Sequence, residues 1–538
     1  MTGDQPVTMA GGLAVPRGRR VTLANWQDPP FNRWAFKHVR ELVPSARIGR
    51  GTGFGRRLPR DEQEVEGIAF RYQGSERTVG EMLAATSTDA FMVLHRGRVV
   101  TERYFDGMTP DTPHLLMSVS KSITSTVAGI LAGRGALDLR ADVAGLVPEL
   151  AGTSFAGATA SDLLDMRAGT RFSEDYADLA ADVRTYEQVY LWRPRTGPAV
   201  PGDAIGYFAT LASDGPHGGP FRYRSVLTDV LALVFERVAG ERLADLIARE
   251  IWQPIGAEFD AEITVDAGGN PMADGGISAT LRDLARFGQL FADHGVVGQR
   301  QVVPGWWIDD TVRGAADGAA AFAAGDNPPG FRPASHYRNC WWVHDPALPF
   351  CYASGINGQH VFIHVPSGTV VVKLSAWPVA LDRGLAGLTV AAVLAIAAAL
   401  GSGDLTPAAA AGLRPAAGVS ASAPGSRRRA AGRRSRRPRR RPTRSSSARC
   451  PGPVGGRRGR RGQVGDDLGV AAVDAEHPLA RPLQVGPGRR AHPGRGPGDD
   501  RGADVAHGAG LLSARPRVPN GPVPCHLRAN LCVCRKPR

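Results

Sequence analysis

The chain has 538 residues, 43% of them hydrophobic, with a net charge of +14 and a pI near 10. That size and apolar content exclude a small disulfide-stapled domain and a wholly disordered chain. The charge is uneven: residues 401–538 hold 28 Lys and Arg against 8 Asp and Glu, +20, which leaves −6 for residues 1–400 and excludes a nucleic-acid-binding body for the part rich enough in apolar residues to fold.

Residues 1–60 show no helix or strand periodicity. They contain Pro29-Pro30 and the run Gly49-Arg-Gly-Thr-Gly-Phe-Gly55, and an irregular N-terminal extension is expected before a folded domain over 61–400. The first 25 residues hold no continuous apolar run of the kind a secretory signal needs, so a cytoplasmic protein is expected. Residues 91–105, apolar runs on either side of Arg96-Gly97, read as a β-hairpin. A helix follows from Ser118 and is closed by Gly133 and Gly135. Residues 161–167 form a short helix ended by Gly169, and 173–220 read as loop. Residues 227–238 are an amphipathic helix stopped by Gly240, 242–251 another, and 280–291 a third. The Ala/Gly/Pro-rich stretch 314–330 reads as a mobile loop. Three strand-like runs (340–344, 360–365 and 369–375) precede an Ala-rich core helix over 385–400, too short for a membrane span. Strands at both ends of the domain with helices between them indicate an α/β (α+β) fold, an antiparallel sheet flanked by helices.

The tail, 401–538, has no aromatic residue, no Ile and no Met. It is expected to be disordered. Its arginine blocks, such as Arg433-Arg-Ser-Arg-Arg-Pro-Arg-Arg-Arg441, would hold nucleic acid weakly and non-specifically. The residue types that need A/T-rich codons (Phe, Tyr, Ile, Lys, Asn and Met) are scarce or absent there, which gives it the look of a GC-rich stretch translated out of frame. Of six cysteines only Cys340 and Cys351 lie before the tail, in adjacent strands, and two are no disulfide framework. Cys532-Val-Cys534 lacks the partners of a zinc site.

One tetrad stands out chemically. Ser118-Val-Ser-Lys121 opens a helix, and positions i and i+3 share a helix face. The chain has four lysines against 61 arginines, so a Lys here is a departure from its own habit. Arg cannot release its proton, whereas a desolvated Lys can act as a base on a neighbouring serine. Tyr223-Arg-Ser225 precedes a helix and can point both hydroxyls into one site. Ser354-Gly-Ile-Asn-Gly-Gln359 reads as a glycine-flanked strand start that can present backbone N–H groups to an oxyanion. His360 and His364 share a strand face without a third ligand, and His114 reads as a packing residue. No Gly-x-Ser-x-Gly, Walker or His-Glu-x-x-His motif occurs.

Ser-x-x-Lys, then Tyr-x-Ser a hundred residues on, then a glycine-containing strand near the end of the domain resembles the serine β-lactamase and penicillin-binding-protein superfamily, in its class C-like branch. The chain is most similar to the 6-aminohexanoate-dimer hydrolases and related serine esterases. The resemblance runs through Leu94-His-Arg-Gly-Arg, His114-Leu-Leu-Met-Ser-Val-Ser-Lys-Ser, the segment Leu163-Leu-Asp-Met-Arg to Glu174-Asp-Tyr176, Phe221-Arg-Tyr-Arg-Ser, Ile251-Trp-Gln-Pro-Ile-Gly-Ala-Glu and Leu284-Ala-Arg-Phe-Gly. It covers about residues 20–400 and none of the tail.

The resemblance implies a β-lactamase/transpeptidase-like fold with a helical subdomain. It also implies Ser118 as nucleophile, Lys121 as base and Tyr223 as proton shuttle. Ser225 stands where β-lactamases often have Asn. Tyr176 would help hold an amide substrate, and the N–H groups of Ser118 and Ile356, beside Gly355, would form the oxyanion hole. Acyl-enzyme chemistry of this kind needs no metal or cofactor. The family's Lys-Thr-Gly is here Ala353-Ser354-Gly355, which removes the cation that would bind a β-lactam carboxylate. The expectation is a serine amidase or esterase acting on small linear amides or esters. A carboxylesterase, a β-lactamase or DD-peptidase-like enzyme, and a catalytically silent binding protein on the same fold are the alternatives. No membrane partner is expected, and the sequence leaves the oligomeric state open.

Overall fold

Runs in which alternate side chains are apolar on both faces build the main sheet. In the computed structural model, which describes residues 20–327, 331–347 and 350–401, seven strands pair antiparallel: β1 (Thr88–His95), β2 (Arg98–Tyr104), β3 (His336–Arg338), β4 (Trp341–Val343), β5 (Phe350–Gly355), β6 (Gln359–His364) and β7 (Thr369–Ser375). Their order is β3-β4-β5-β6-β7-β1-β2. The hairpin expected at 91–105 is β1–β2, and it pairs with the last strand, β7, so the two ends of the domain share one sheet. Along β1, Ala90, Met92 and Leu94 enter one core cluster while Phe91 and Val93 enter another. The same split recurs in β7, where Val370, Val372 and Leu374 face the first and Val371 the second. A period of two with both faces apolar requires cover on both sides.

The first face is covered by the Leu281–Ala292 helix, capped by Thr280, whose hydroxyl accepts the Asp283 N–H. A Cβ added at Gly288 would sit 2.5 Å from Val370 Cγ1, so glycine sets how closely that helix approaches β7. The second face packs against the Val79–Ala85 and Arg383–Ala399 helices. The Val119–Gly133 helix lies inside the first cluster, with every residue from Val119 to Leu131 buried. A four-stranded sheet (Ser45–Ile48, Ala261–Thr264, Ile277–Ala279, His114–Leu115) delivers the chain to that helix. Among the described residues no helix is long and apolar enough to cross a membrane.

Several expectations need correction. Residues 20–60 are part of the folded body. Trp26 and Phe36 are buried, Ser45–Ile48 pairs with Ala261–Thr264, and the Trp26 indole donates to Trp192 O at 2.7 Å. Short pieces anchored by single aromatics carry no periodicity, which is why the sequence gives no sign of them. The loop-rich 173–220 holds the Asp182–Val189 and Ala204–Phe208 helices, and 314–330 holds Gly318–Ala323 with Phe322 buried. Residues 354–359 hold the end of β5 and the turn Ile356–Gly358 before β6 starts at Gln359, so the expected strand start is preceded by a strand end that the sequence reading lacked. The first 19 residues, the arginine-rich tail from 402 and its cysteines lie outside the described residues.

Cys340 and Cys351 are buried free thiols. Among the described residues no group of three or more His, Cys, Asp or Glu is disposed to hold a metal. His114 packs edge-on to Phe36 and makes hydrogen bonds to Leu115 O and Asp89.

His360 stacks on Phe362 and lies beside Trp377, and neither ring nitrogen has a hydrogen-bond partner. Burial, followed by the neighbouring Lys373, pushes its pKa down from 6.5 to about 3. The unfolded chain therefore binds a proton that the folded one refuses, so this site loses stability as pH falls from 6.5 toward 3, by at most about 1.4 kcal/mol per pH unit. His360→Phe should leave Tm at pH 7.5 nearly unchanged and raise it clearly at pH 4.5. Equal shifts at both pH values would contradict this assignment.

Candidate active site

The chain turns sharply from strand His114–Leu115 into the Val119–Gly133 helix because Met117 takes a left-handed φ of 48°. A bulky non-glycine residue in that region stores strain that its surroundings must hold. The turn leaves Ser118 at the helix N-cap, half-buried and lining a cleft, with no side-chain capping bond to the helix. One turn later Lys121 is fully buried on the same face. Its Nζ lies 2.8 Å from Ser118 Oγ, 2.8 Å from Ser225 Oγ, 3.0 Å from Asp274 O and 3.2 Å from Asp274 Oδ2. Ser225 sits at the N-cap of the Val226–Ala239 helix. Tyr223, just before it, places its ring centroid 5.1 Å from Nζ and stacks on Trp342 at 5.5 Å and 18°.

Two further carboxylates hold this group. Glu174 accepts Ser225 Oγ–H at 2.5 Å, Ser225 N–H at 2.8 Å and the Tyr176 hydroxyl at 3.0 Å. Asp229, one helical turn beyond Ser225, accepts the N–H groups of Ala273 and Asp274 at 2.5 and 3.2 Å and the Tyr186 hydroxyl. Asp229 thereby fixes the turn from which Asp274 reaches Lys121.

Hydrogen-bond direction follows from valence. Ser225 has one proton and spends it on Glu174, so Lys121 donates to Ser225. Lys121 also donates to Asp274. The Nζ position facing Ser118 is then a proton in the ammonium or a lone pair in the amine. Burial by itself would lower the Lys121 pKa, but Tyr223, Asp274, Glu174 and Asp229 together raise it above the usual lysine range. Burial pushes Glu174 up against the pull of Lys121. Burial, then Asp274, pushes Asp229 well above the carboxylate range. Burial pushes the Tyr223 phenol up to about 12 against the opposing pull of Lys121, so near neutrality it carries its proton.

All seven residues singled out in the sequence converge here. Tyr176, Ser225 and Ile356 line the cleft with Ser118, and Gln27, Trp192 and Met272 are among its other walls. Tyr223 lines an adjoining polar cavity. A Cβ on Gly355 would stand 2.6 Å from Leu116 O and 3.0 Å from Ser118 N, so the turn bearing Ile356 lies directly against the backbone of the serine. The sequence reading missed Glu174, Asp229 and Asp274. Glu174 lies inside the 163–176 segment that carried the resemblance. Asp274 is 153 residues from Lys121, with no local signal to join them.

The family model described as Beta-lactamase matches residues 76–395. A 6-aminohexanoate-dimer hydrolase of Paenarthrobacter ureafaciens is 36% identical over 406 residues, covering 74% of this chain and 98% of that protein. A solved structure named "Putative 6-aminohexanoate-dimer hydrolase from Bacillus anthracis" superposes with a TM-score of 0.66 at 26% identity, covering 72% of this chain and 98% of that one.

Proposed function

This chain belongs to the beta-lactamase family and is a serine hydrolase; from that premise we propose that it cleaves small linear amides and esters through an acyl-enzyme on Ser118. One observation carries the proposal: a buried lysine within 2.8 Å of both the Ser118 and Ser225 hydroxyls, linked through Ser225 to the half-buried Glu174 carboxyl. Along the path Lys121 Nζ–Ser225 Oγ–Glu174 Oε1 the ammonium passes a proton to Ser225 as Ser225 passes its own to Glu174, and rotation about Cε–Nζ turns the lone pair this leaves from Ser225 toward Ser118. Ser118 Oγ then attacks the carbonyl carbon and its proton goes to Nζ. The carbonyl π pair moves to oxygen, where the Ser118 and Ile356 N–H groups receive it. Collapse breaks the bond to the leaving group, which takes a proton from the Tyr223 phenol, and Lys121 reprotonates Tyr223. Water repeats the sequence on the ester and frees Ser118.

The substrate class follows from what the strand lacks. Where β-lactamases carry Lys-Thr-Gly this chain has Ala353-Ser354-Gly355, without a cation for a fixed carboxylate. The relative from Paenarthrobacter carries 6-aminohexanoate dimer in its name, a linear amide, and that compound is the amide of first choice. In a hydrolysis screen, p-nitrophenyl esters and the dimer should both be turned over. Nitrocefin should fall short of the esters by about a hundredfold or more in kcat/KM, the worth of one or two charge-assisted hydrogen bonds. Tyr176→Phe, which takes the hydroxyl from Glu174 and from the amide leaving group, should cost the amide about tenfold more than the matched ester. Nitrocefin turnover equal to that of the esters would overturn the substrate assignment. Equal losses on the amide and ester pair would remove Tyr176 from an amide-specific role.

A further inference from the structure

The oxyanion role of Ile356 requires a backbone N–H held in one orientation on a tight turn, and a turn between two strands is not rigid unless something fixes it. In front, Gly355 lies against Leu116, Met117 and Ser118 with no room for a Cβ. Behind the turn is Gln359, which is fully buried. Its Nε2 donates one proton to Ser375 O at 2.6 Å and shares the other between Asn357 O at 3.1 Å and Ile356 O at 3.4 Å, and its Oε1 accepts the Ser375 N–H at 3.0 Å. The amide therefore ties two consecutive carbonyls of the turn to the end of β7. Asn357 holds the turn's left-handed residue, φ 58°. Its N–H bonds Ala380 O at 2.9 Å, its carbonyl takes the Trp377 N–H at 3.1 Å, and its Nδ2 donates to Trp377 O at 2.9 Å.

We propose that Gln359 is a positioning residue for the oxyanion hole: its side-chain amide fixes the Ile356–Asn357 and Asn357–Gly358 peptides and so sets the direction of the Ile356 N–H. The inference rests on the acyl-enzyme reading above. No other side chain bonds the Ile356 carbonyl among the described contacts. Without Gln359 the Ile356–Asn357 peptide keeps only its N–H bond to Ala380 O and can tilt about it, and the neighbouring Gly355–Ile356 peptide, which carries the N–H, counter-rotates with it. A misdirected donor weakens the tetrahedral state, where charge sits on oxygen, and leaves binding of the neutral carbonyl almost untouched.

The test compares wild type with Gln359→Met, which keeps length and burial but makes no hydrogen bond. Stopped-flow acylation by p-nitrophenyl butyrate separates the acylation rate constant from the ground-state dissociation constant, and the burst counts folded sites. Phenylboronic acid, whose serine adduct is tetrahedral and anionic, is titrated in parallel. The expected result is a fall of about ten- to a hundredfold in both the acylation rate constant and boronate affinity. The ground-state constant should stay within about twofold. Gln359→Glu retains the bond from Ser375 N–H but faces three carbonyls with a carboxylate. Its acylation rate relative to wild type should rise as pH falls and the carboxyl regains a donor proton, and this variant carries the test if Gln359→Met does not fold. A Gln359→Met enzyme with wild-type boronate affinity overturns the proposal. So does failure of both variants to fold, which would make Gln359 structural. Absence of both a burst and boronate inhibition in the wild type would instead overturn the acyl-enzyme reading itself.

Discussion

Ser118→Ala should abolish turnover of esters and amides alike, by about 10⁴-fold or more, the scale on which loss of a covalent nucleophile is felt. Stability should change by about 1 kcal/mol or less. The reason is local. The Ser118 side chain makes no capping bond to its helix, Ala is the best helix former, and of the two side chains that its hydroxyl meets, Lys121 and Tyr223, the buried Lys121 keeps Ser225 and Asp274. Activity should fall while the thermal unfolding midpoint and the near-ultraviolet spectrum stay in place. A variant retaining even a few per cent of wild-type kcat/KM would mean that the nucleophile lies elsewhere.

Lys121→Arg should be nearly as inactive as Lys121→Met, with each losing about a hundredfold or more in the acylation rate constant. Arg retains the positive charge that Asp274, Glu174 and Asp229 attract, but it has no lone pair to take the Ser118 proton. The Met variant reports what removing both charge and base does in a chain of similar volume. If charge alone mattered, Arg would rescue. If basicity matters, Arg and Met fail together. Melting curves for both variants separate the chemistry from misfit of the larger guanidinium in a fully buried site. Retention of most activity by Lys121→Arg would refute the lysine-base mechanism and leave Tyr223 as the candidate base.

How far the sequence discloses all this depends on the range of the interaction. Ser118 and Lys121 are three residues apart on a helix, so their contact is written into local geometry. The β1–β2 hairpin shows in its Arg96-Gly97 turn, and the Leu281–Ala292 helix shows in its Thr280 cap and apolar stripe. Tyr223, Ser225, Tyr176 and Ile356 were reached through family resemblance, since spacing alone does not bring a loop a hundred residues away to a lysine. Asp274 and Asp229 were not reached at all. Each is an ordinary acidic residue in sequence, and each acquires its meaning only when the Val226–Ala239 helix packs against the Val119–Gly133 helix and the 272–276 turn closes over both. The same holds for β5. Phe350 and Tyr352 face one core and Cys351 and Ala353 the other, a two-sided burial that leaves no polar alternation to read.

The central claim is that Ser118 carries the acyl group, and peptide mapping of the trapped intermediate tests it most directly. The enzyme is quenched in acid during turnover of p-nitrophenyl butyrate, or after labelling with a fluorophosphonate, then digested and sequenced by tandem mass spectrometry. The predicted result is a single adduct on the peptide containing Ser118, absent from Ser118→Ala and strongly reduced in Lys121→Arg. An adduct on Ser225, Ser354 or any other residue, or full turnover with no covalent adduct at all, would contradict it.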